Sequence, residues 1–146
     1  MGIQTSINKA DIFNEVAKLT SYIGDKSQGE GVYDRVRTTD ENEEILEEFF
    51  KVALQDVLVT LREYVGTTYS TANDVGFVFN VGSNYDSTLV GRLADSIRGS
   101  IINSIVSHWF CLVDIENAKL YADKSAKELE NALLIINNRK RPKRPQ

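Results

Sequence analysis

One histidine and one cysteine are the side chains of this sequence best suited to nucleophilic chemistry. His108 and Cys111 lie three residues apart in the run IVSHWFCLV, and on a helix this spacing places two side chains on the same side. A histidine next to a cysteine can act as its base, but no acidic residue or amide is evidently placed to orient this imidazole. The two residues also fall short of the three or four ligands that zinc needs. We therefore predict a histidine at the edge of the core, a buried cysteine, no metal or cofactor, and no enzymatic activity.

A second set of reactive side chains is the run of carboxylates between residues 40 and 48. It comprises Asp40, Glu41, Glu43, Glu44, Glu47 and Glu48. Such a run can be imagined as a divalent cation site or as an acid and base pair. It stands, however, directly before a helical apolar pattern, where acidic side chains stabilise the positive end of the helix dipole and stay solvated. We interpret these carboxylates as structural. Neither glycine-rich phosphate-binding pattern occurs in the sequence.

The C-terminal RKRPKRPQ is the most basic segment of the chain. Its basic residues are Arg139, Lys140, Arg141, Lys143 and Arg144. The formal net charge of the whole chain is −4, so residues 1–138 carry −9 without these five charges. A basic tail of this kind can contact nucleic-acid phosphates or an acidic protein surface without a fold of its own, and a solubilising disordered end is the alternative. Because the body is acidic, we favour docking on protein over dedicated nucleic-acid binding.

Four helices are predicted to position these groups in one domain of 146 residues. Asn8 caps the first helix, which stops at Gly24, and the spacing of Thr38 and Glu41 is that of a capping box for a second helix ending at Gly66. Asp86 or Ser87 caps the third and Asp114 the fourth, which runs to about Asn138. Gly91 and Gly99 inside the third helix predict the close approach of another helix. The hydrophobic fraction of 42% indicates a packed core, and no stretch approaches the roughly 20 apolar residues of a membrane span. The charged and polar first thirty residues argue against a signal peptide.

A single strand is predicted between the second and third helices. In residues 67–84 the apolar side chains alternate, as Val75, Phe77, Phe79 and Val81. A strand needs a partner for its backbone groups, which comes from a short local hairpin or from another subunit. We therefore predict that these four residues and the basic tail bind partners. Residues 1–8 have no pattern and are interpreted as an arm, and the loop at 25–37 as a segment that lies against something else.

The predicted fold is therefore mainly α. It is a four-helix bundle-like domain over residues 1–138, with one short strand or hairpin excursion between helices 2 and 3. An extended C-terminal arm covers residues 139–146.

This layout resembles the head-to-tail connector, or adaptor, proteins of tailed bacteriophages and their prophages. The segments NKADIFNEVAKLTSYIGDK, YDRVRTTDENEEILEEFF and NNRKRPKRP are similar to prophage proteins of gut bacteria of the Bacteroides type. The resemblance implies a homo-oligomeric ring, commonly of twelve subunits, that docks on the portal protein and on tail or neck proteins, with DNA near its channel. It implies assembly in the host cytoplasm, a final location in the neck or tail of the virion, and no catalytic residues.

The functional prediction is a structural subunit of a phage virion, most specifically a head-to-tail connector. The alternatives are a nucleic-acid-associated protein that uses its basic tail, and another neck or tail component. An acidic helix start at 40–48 and a basic tail at 139–144 on one chain suggest pairing between subunits in a head-to-tail ring.

Overall fold

The computed structural model of the chain describes residues 2–26, 43–71, 74–81, 85, 87–113 and 115–137. In chain order its elements are β1 (Gly2–Asn8), α1 (Lys9–Lys26), α2 (Glu43–Thr60), β2 (Val65–Ser70), β3 (Asp74–Asn80), a short 3-10 helix (Ser87–Leu89), α3 (Val90–Val113) and α4 (Ile115–Ile136). α1 continues to Lys26, so it passes the predicted stop at Gly24 and includes the first two residues of the predicted loop at 25–37. The rest of that loop, the proposed capping residues Thr38, Glu41, Asp86 and Asp114, and the basic tail lie outside the described residues.

The three strands form one antiparallel sheet in the order β1-β3-β2. Along β1, Thr5 pairs with Phe77 and Ile7 with Val75, while along β2 Thr68 pairs with Phe77 on the opposite side. The prediction of a four-helix bundle-like domain with one short strand or hairpin excursion is therefore wrong: the described residues combine four helices with a three-stranded sheet, in which the β2-β3 hairpin lies between the second and third helices and β1 precedes the first. The predicted strand exists, but it is the central strand, and both of its edges are paired within the chain.

Alternating burial explains why residues 2–8 form a strand and not an arm. Ile3, Thr5 and Ile7 are buried, and the four residues around them are exposed. Their partners on the same face of β3 are buried, Phe77 and Phe79 completely, so β1 gains apolar contact across the sheet in addition to its hydrogen bonds. The pattern spans seven residues with a threonine at its centre, which makes it weak in the sequence.

Thr5 provides a stability test of this inner sheet face. Its hydroxyl is buried and has no hydrogen-bond partner among the described residues, and a buried hydroxyl without a partner costs on the order of 1 to 3 kcal/mol. We expect Thr5→Val, which keeps the shape and removes the hydroxyl, to raise the free energy of unfolding by about 1 kcal/mol. The measurement is the urea midpoint at unchanged slope. A lower midpoint would show that the hydroxyl is hydrogen-bonded in the folded protein.

Asn8 joins the sheet to α1, as the sequence predicts. Its side-chain oxygen accepts a hydrogen bond of 2.9 Å from the amide of Asp11, which is N-terminal capping geometry. Its amide nitrogen donates to a carboxylate oxygen of Asp74 across the sheet at 3.0 Å. One side chain therefore ends β1, starts α1 and holds both to the beginning of β3.

The second helix ends six residues before the predicted Gly66. Leu61 is fully buried, and its carbonyl accepts hydrogen bonds from the amides of both Tyr64 and Val65. The carbonyl of Tyr64 then accepts from the amide of Asn80, which turns the chain into the sheet. Since Val65 continues the helical spacing of apolar residues, the sequence pattern does not reveal this exit.

A close antiparallel hairpin of α3 and α4 forms the largest helical contact. The Ser125 hydroxyl donates to the backbone carbonyl of Ser100 at 2.9 Å, and the Ser107 hydroxyl donates to that of Ala118 at 2.8 Å. Side chains this short reach the opposite backbone only when the helices lie close together. The two glycines predicted to permit this approach differ. Gly91 has open space beside it, whereas a Cβ on Gly99 would lie 3.5 Å from the side chain of Glu128 on α4, an ordinary contact distance.

The helices pack on the inner face of β1 and β3 and enclose one core. Phe13 of α1 contacts Phe50 of α2 edge to face at 6.1 Å between ring centroids. Arg98 of α3 reaches back to α1 through an ion pair of 2.7 Å with Asp11. These contacts join residues far apart in the sequence, so the helices are positioned mainly by the shared core.

Candidate functional site

His108 and Cys111 lie in different surroundings on α3. His108 is half-buried, its Nδ1 lies 2.7 Å from the backbone carbonyl of Ser104, and its ring packs on Phe49 at 5.3 Å between centroids. It lies at the edge of the core, as predicted. The prediction of a buried Cys111 is wrong, because this thiol is exposed on the turn of helix next to the fully buried Phe110.

The described carboxylates of the 40–48 run lie at the start of α2. Glu47 forms an ion pair of 3.2 Å with Lys9 at the start of α1, and Glu48 lies 3.7 Å from Lys51 one turn along the helix. The side chains of Glu44, Glu47 and Glu48 border a shallow, open depression. Within the described ranges, no three histidine, cysteine or acidic side chains are grouped as metal ligands.

The four apolar residues predicted to bind a partner lie inside the protein. Val75, Phe77, Phe79 and Val81 are buried, and the rings of Phe77 and Phe79 stack at 5.8 Å between centroids. Their strand is hydrogen-bonded on both sides. A strand from another subunit can therefore join this sheet only at β1 or β2. The other predicted partner-binding residues, Arg139, Lys140, Arg141, Lys143 and Arg144, lie outside the described residues.

β2 is the more exposed of the two edge strands. Five of its six residues are exposed, and Val65 is half-buried. The amide of Thr71 donates to the carbonyl of Asp74 at 2.8 Å, which marks a hydrogen-bonded pair at the end of the β2-β3 hairpin. Since such pairs alternate along an antiparallel ladder, Thr68 and Ser70 direct their amides and carbonyls away from β3, toward the open edge.

The same alternation of hydrogen-bonded pairs shows which backbone groups of β1, the opposite edge strand, point outward. The residues of β3 that do not bond β2, among them Val75 and Phe77, bond β1 at Ile7 and Thr5. Gln4 and Ser6 of β1 therefore direct their backbone groups outward. Among the described residues no strand pairs with this edge or with that of β2.

The outer face of the sheet is uncharged and centred on Tyr69. The phenol ring of Tyr69 occupies the place where a Cβ on Gly76 would lie, so the ring covers the backbone of the central strand and gives this part of β3 its burial. Gln4, Ser6 and Thr67 surround it and are exposed. Apart from the terminal Asp74, neither this face nor either edge strand carries a charged residue.

Two other surface features lie on the α3-α4 hairpin. A groove of about 430 Å³ is lined by Leu89, Arg92, Asp95, Asn131 and Leu134, among others. At the opposite end, beside the exposed thiol, Leu112 and Ile115 are strongly exposed. The groove is open and its two charges are opposite in sign, so its lining favours no single ligand chemistry.

The sequence analysis leaves a local hairpin partner for β3 open without locating β2, and it does not predict β1. For β1 the signal exists, since Ile3, Thr5 and Ile7 alternate with polar residues. For β2 there is no such signal, because the run VGTTYS is exposed on both faces and its pairing depends on the neighbouring β3.

None of the helices in the described ranges has the combination of length and apolar composition required to cross a bilayer. No protein-family model matches the chain, and no match is found among curated proteins or among solved structures.

Proposed function

We propose that this protein is a structural assembly subunit, and in its most specific form a head-to-tail connector or neck subunit of a tailed-phage virion. The observation that carries the proposal is the open edge of β2. A strand that is accessible on both faces and hydrogen-bonded on one side only is a surface onto which another chain can add.

The composition of this edge supports a role in assembly. Soluble proteins usually protect an edge strand with charged residues, proline or a short length. The run VGTTYS contains neither charge nor proline. A register shift between Val65 and Thr67 distorts only the beginning of the strand, so Thr67 to Ser70 remain regular and available for pairing.

The test of this function is the oligomeric state of the full chain. Native mass spectrometry and negative-stain electron microscopy are to be performed on the purified protein, alone and mixed with the portal protein of the same genome. We expect closed rings in at least one of the two samples. A monomer in both samples, with no complex on the portal, would overturn the proposal.

The basic tail gives a separate prediction within the same function. Deleting residues 139–146 removes five positive charges, and if these pair with acidic surfaces such as Glu44 and Glu48 of a neighbour, we expect fewer or smaller assemblies. The loss should resemble the effect of raising the salt concentration on the intact chain. Unchanged assembly by native mass spectrometry contradicts a role for the tail between subunits.

A DNA-binding assay on the intact chain and on the chain without residues 139–146 distinguishes the nucleic-acid alternative from docking on protein. Binding by the intact chain that falls steeply with salt, and that is absent from the truncated chain, would assign the tail to phosphate contact. No binding at low salt would remove that alternative.

A further inference from the structure

We propose that the partner of the β2 edge is β1 of a second copy of this chain, paired in parallel so that the sheets of successive copies join head to tail. This inference rests on the proposed assembly function and names the partner and the geometry of its contact.

The two edges match each other in chemistry. β1 has the sequence GIQTSIN and β2 the sequence VGTTYS. Neither contains a charged residue or proline, although the chain as a whole is 26% charged. Two neutral edges meet without the repulsion or the desolvation of charge that natural edge strands use to prevent pairing.

The directions of the strands are also compatible. β1 and β2 are both antiparallel to β3, so they run parallel to each other on opposite sides of the sheet. A second copy in the same orientation therefore presents its β1 parallel to β2 of the first. The outward backbone groups of Thr68 and Ser70 then face those of Gln4 and Ser6, over strands of six and seven residues.

Burial on the inner face of the sheet favours the same arrangement. Thr68 pairs with the fully buried Phe77 and lies on the same face of the sheet, yet it is exposed. Among the described residues, the inner faces of β1 and β3 are buried under the helices, whereas β2 is exposed. A neighbouring copy that adds its β1 brings its own helices beside this uncovered strip, so that one helical layer can continue across the junction.

Head-to-tail pairing also uses both edges, whereas a symmetric dimer does not. A two-fold contact between two β2 strands would leave β1 open in both copies, and a β1 contact would leave β2 open. A heterologous contact consumes one edge of each kind at every junction, and it gives a ring when the rotation between copies closes.

Proline substitutions on one edge at a time test this arrangement. Gln4→Pro and Thr68→Pro each remove one outward amide, and an edge strand tolerates proline when its amide faces away from the sheet. We expect each variant alone to lose all species larger than the monomer. An equal mixture should give dimers and nothing larger, because each variant retains the edge that the other has lost. The control is Gln55→Ala, an exposed position of α2 that lies on neither edge strand, and it should assemble as the wild type does.

Disulfide cross-linking tests the contact without relying on proline. In a Cys111→Ser background, Gln4→Cys is combined with Thr67→Cys in one variant and with Tyr69→Cys in another. All three positions lie on the outer face, and within one copy β3 separates β1 from β2 by about 10 Å, too far for a disulfide. Head-to-tail pairing predicts a ladder of linked oligomers in at least one variant. A ladder that ends at the dimer would indicate a symmetric contact and overturn the inference.

The outcomes separate this inference from the proposed function. If the wild-type chain assembles, and the proline variants assemble equally well without any cross-linked ladder, the head-to-tail contact is wrong and the assembly function stands. If the wild-type chain remains monomeric alone and with portal, and no ladder forms, both proposals fail.

Discussion

Replacing Phe77 with alanine is expected to lower the free energy of unfolding by about 3 to 5 kcal/mol, the usual cost of removing a phenyl ring from a packed core. Phe77 is fully buried on the central strand and stacks on Phe79. In the register of the sheet it lies opposite Thr5 of β1 and Thr68 of β2. The cavity would therefore lie where all three strands meet the helices, and the sheet cannot close it without losing register.

The measurement for Phe77→Ala is urea unfolding followed by circular dichroism. The control is Thr68→Ala, the exposed residue paired with Phe77 in the same sheet, which we expect to change stability by less than about 0.5 kcal/mol. The experiment also separates two roles for Phe77. If Phe77 contacted a partner and not the core, its substitution would weaken assembly and leave the unfolding midpoint of the monomer unchanged.

The second large effect is expected at the interface of α3 and α4. Ser100 is buried, its carbonyl accepts the hydrogen bond from Ser125, and the two hydroxyl oxygens lie 3.4 Å apart. Ser100→Leu adds two heavy atoms to a side chain that already lies 3.4 Å from Ser125 of the facing helix. Overpacking of this kind typically costs about 1 to 3 kcal/mol, and a lost buried hydrogen bond adds on the order of 1 kcal/mol. We expect a total loss of about 3 kcal/mol.

Gly91→Leu is the matched control for Ser100→Leu, since it places the same side chain on the same helix where nothing lies within 4 Å. We expect it to be neutral or to stabilise the protein by up to about 1 kcal/mol, because leucine has a higher helix propensity than glycine. Thermal unfolding of both variants provides the comparison. Equal effects at the two positions would contradict the close packing of this hairpin.

The Phe77 and Ser100 variants also bear on the assembly proposal, because neither substitution changes an exposed edge of the sheet. Phe77 and Ser100 are core positions, so their variants should lose assembly only to the extent that they unfold. The edge variants Gln4→Pro and Thr68→Pro act on backbone groups that the monomer does not use for its own sheet. Comparing unfolding midpoints with oligomer distributions across these variants distinguishes a loss of fold from a loss of contact.

Much of the helical framework could be predicted from the sequence because its signals are local. The cap at Asn8 acts within three residues, and the apolar spacing of α2, α3 and α4 repeats every turn. The strand around Phe77 and Phe79 was predicted for the same reason, since alternation is visible in seven residues. The cap, the helical spacing and the strand alternation all depend on residues that are close together in the sequence, so the sequence shows them directly.

The sheet, the interhelical contact and the candidate interaction surface were decided by tertiary structure. β2 has no apolar face of its own and becomes a strand because β3 offers it unpaired backbone groups. Cys111 is exposed because the adjacent Phe110 occupies the core, and the serines bring α3 and α4 together because each hydroxyl finds a carbonyl on the facing helix. The sequence by itself determined where most helices form and which strand is apolar. Only the packed chain determined that this strand is buried at the centre of a sheet, since hydrogen-bond partners distant in sequence leave no periodic signal.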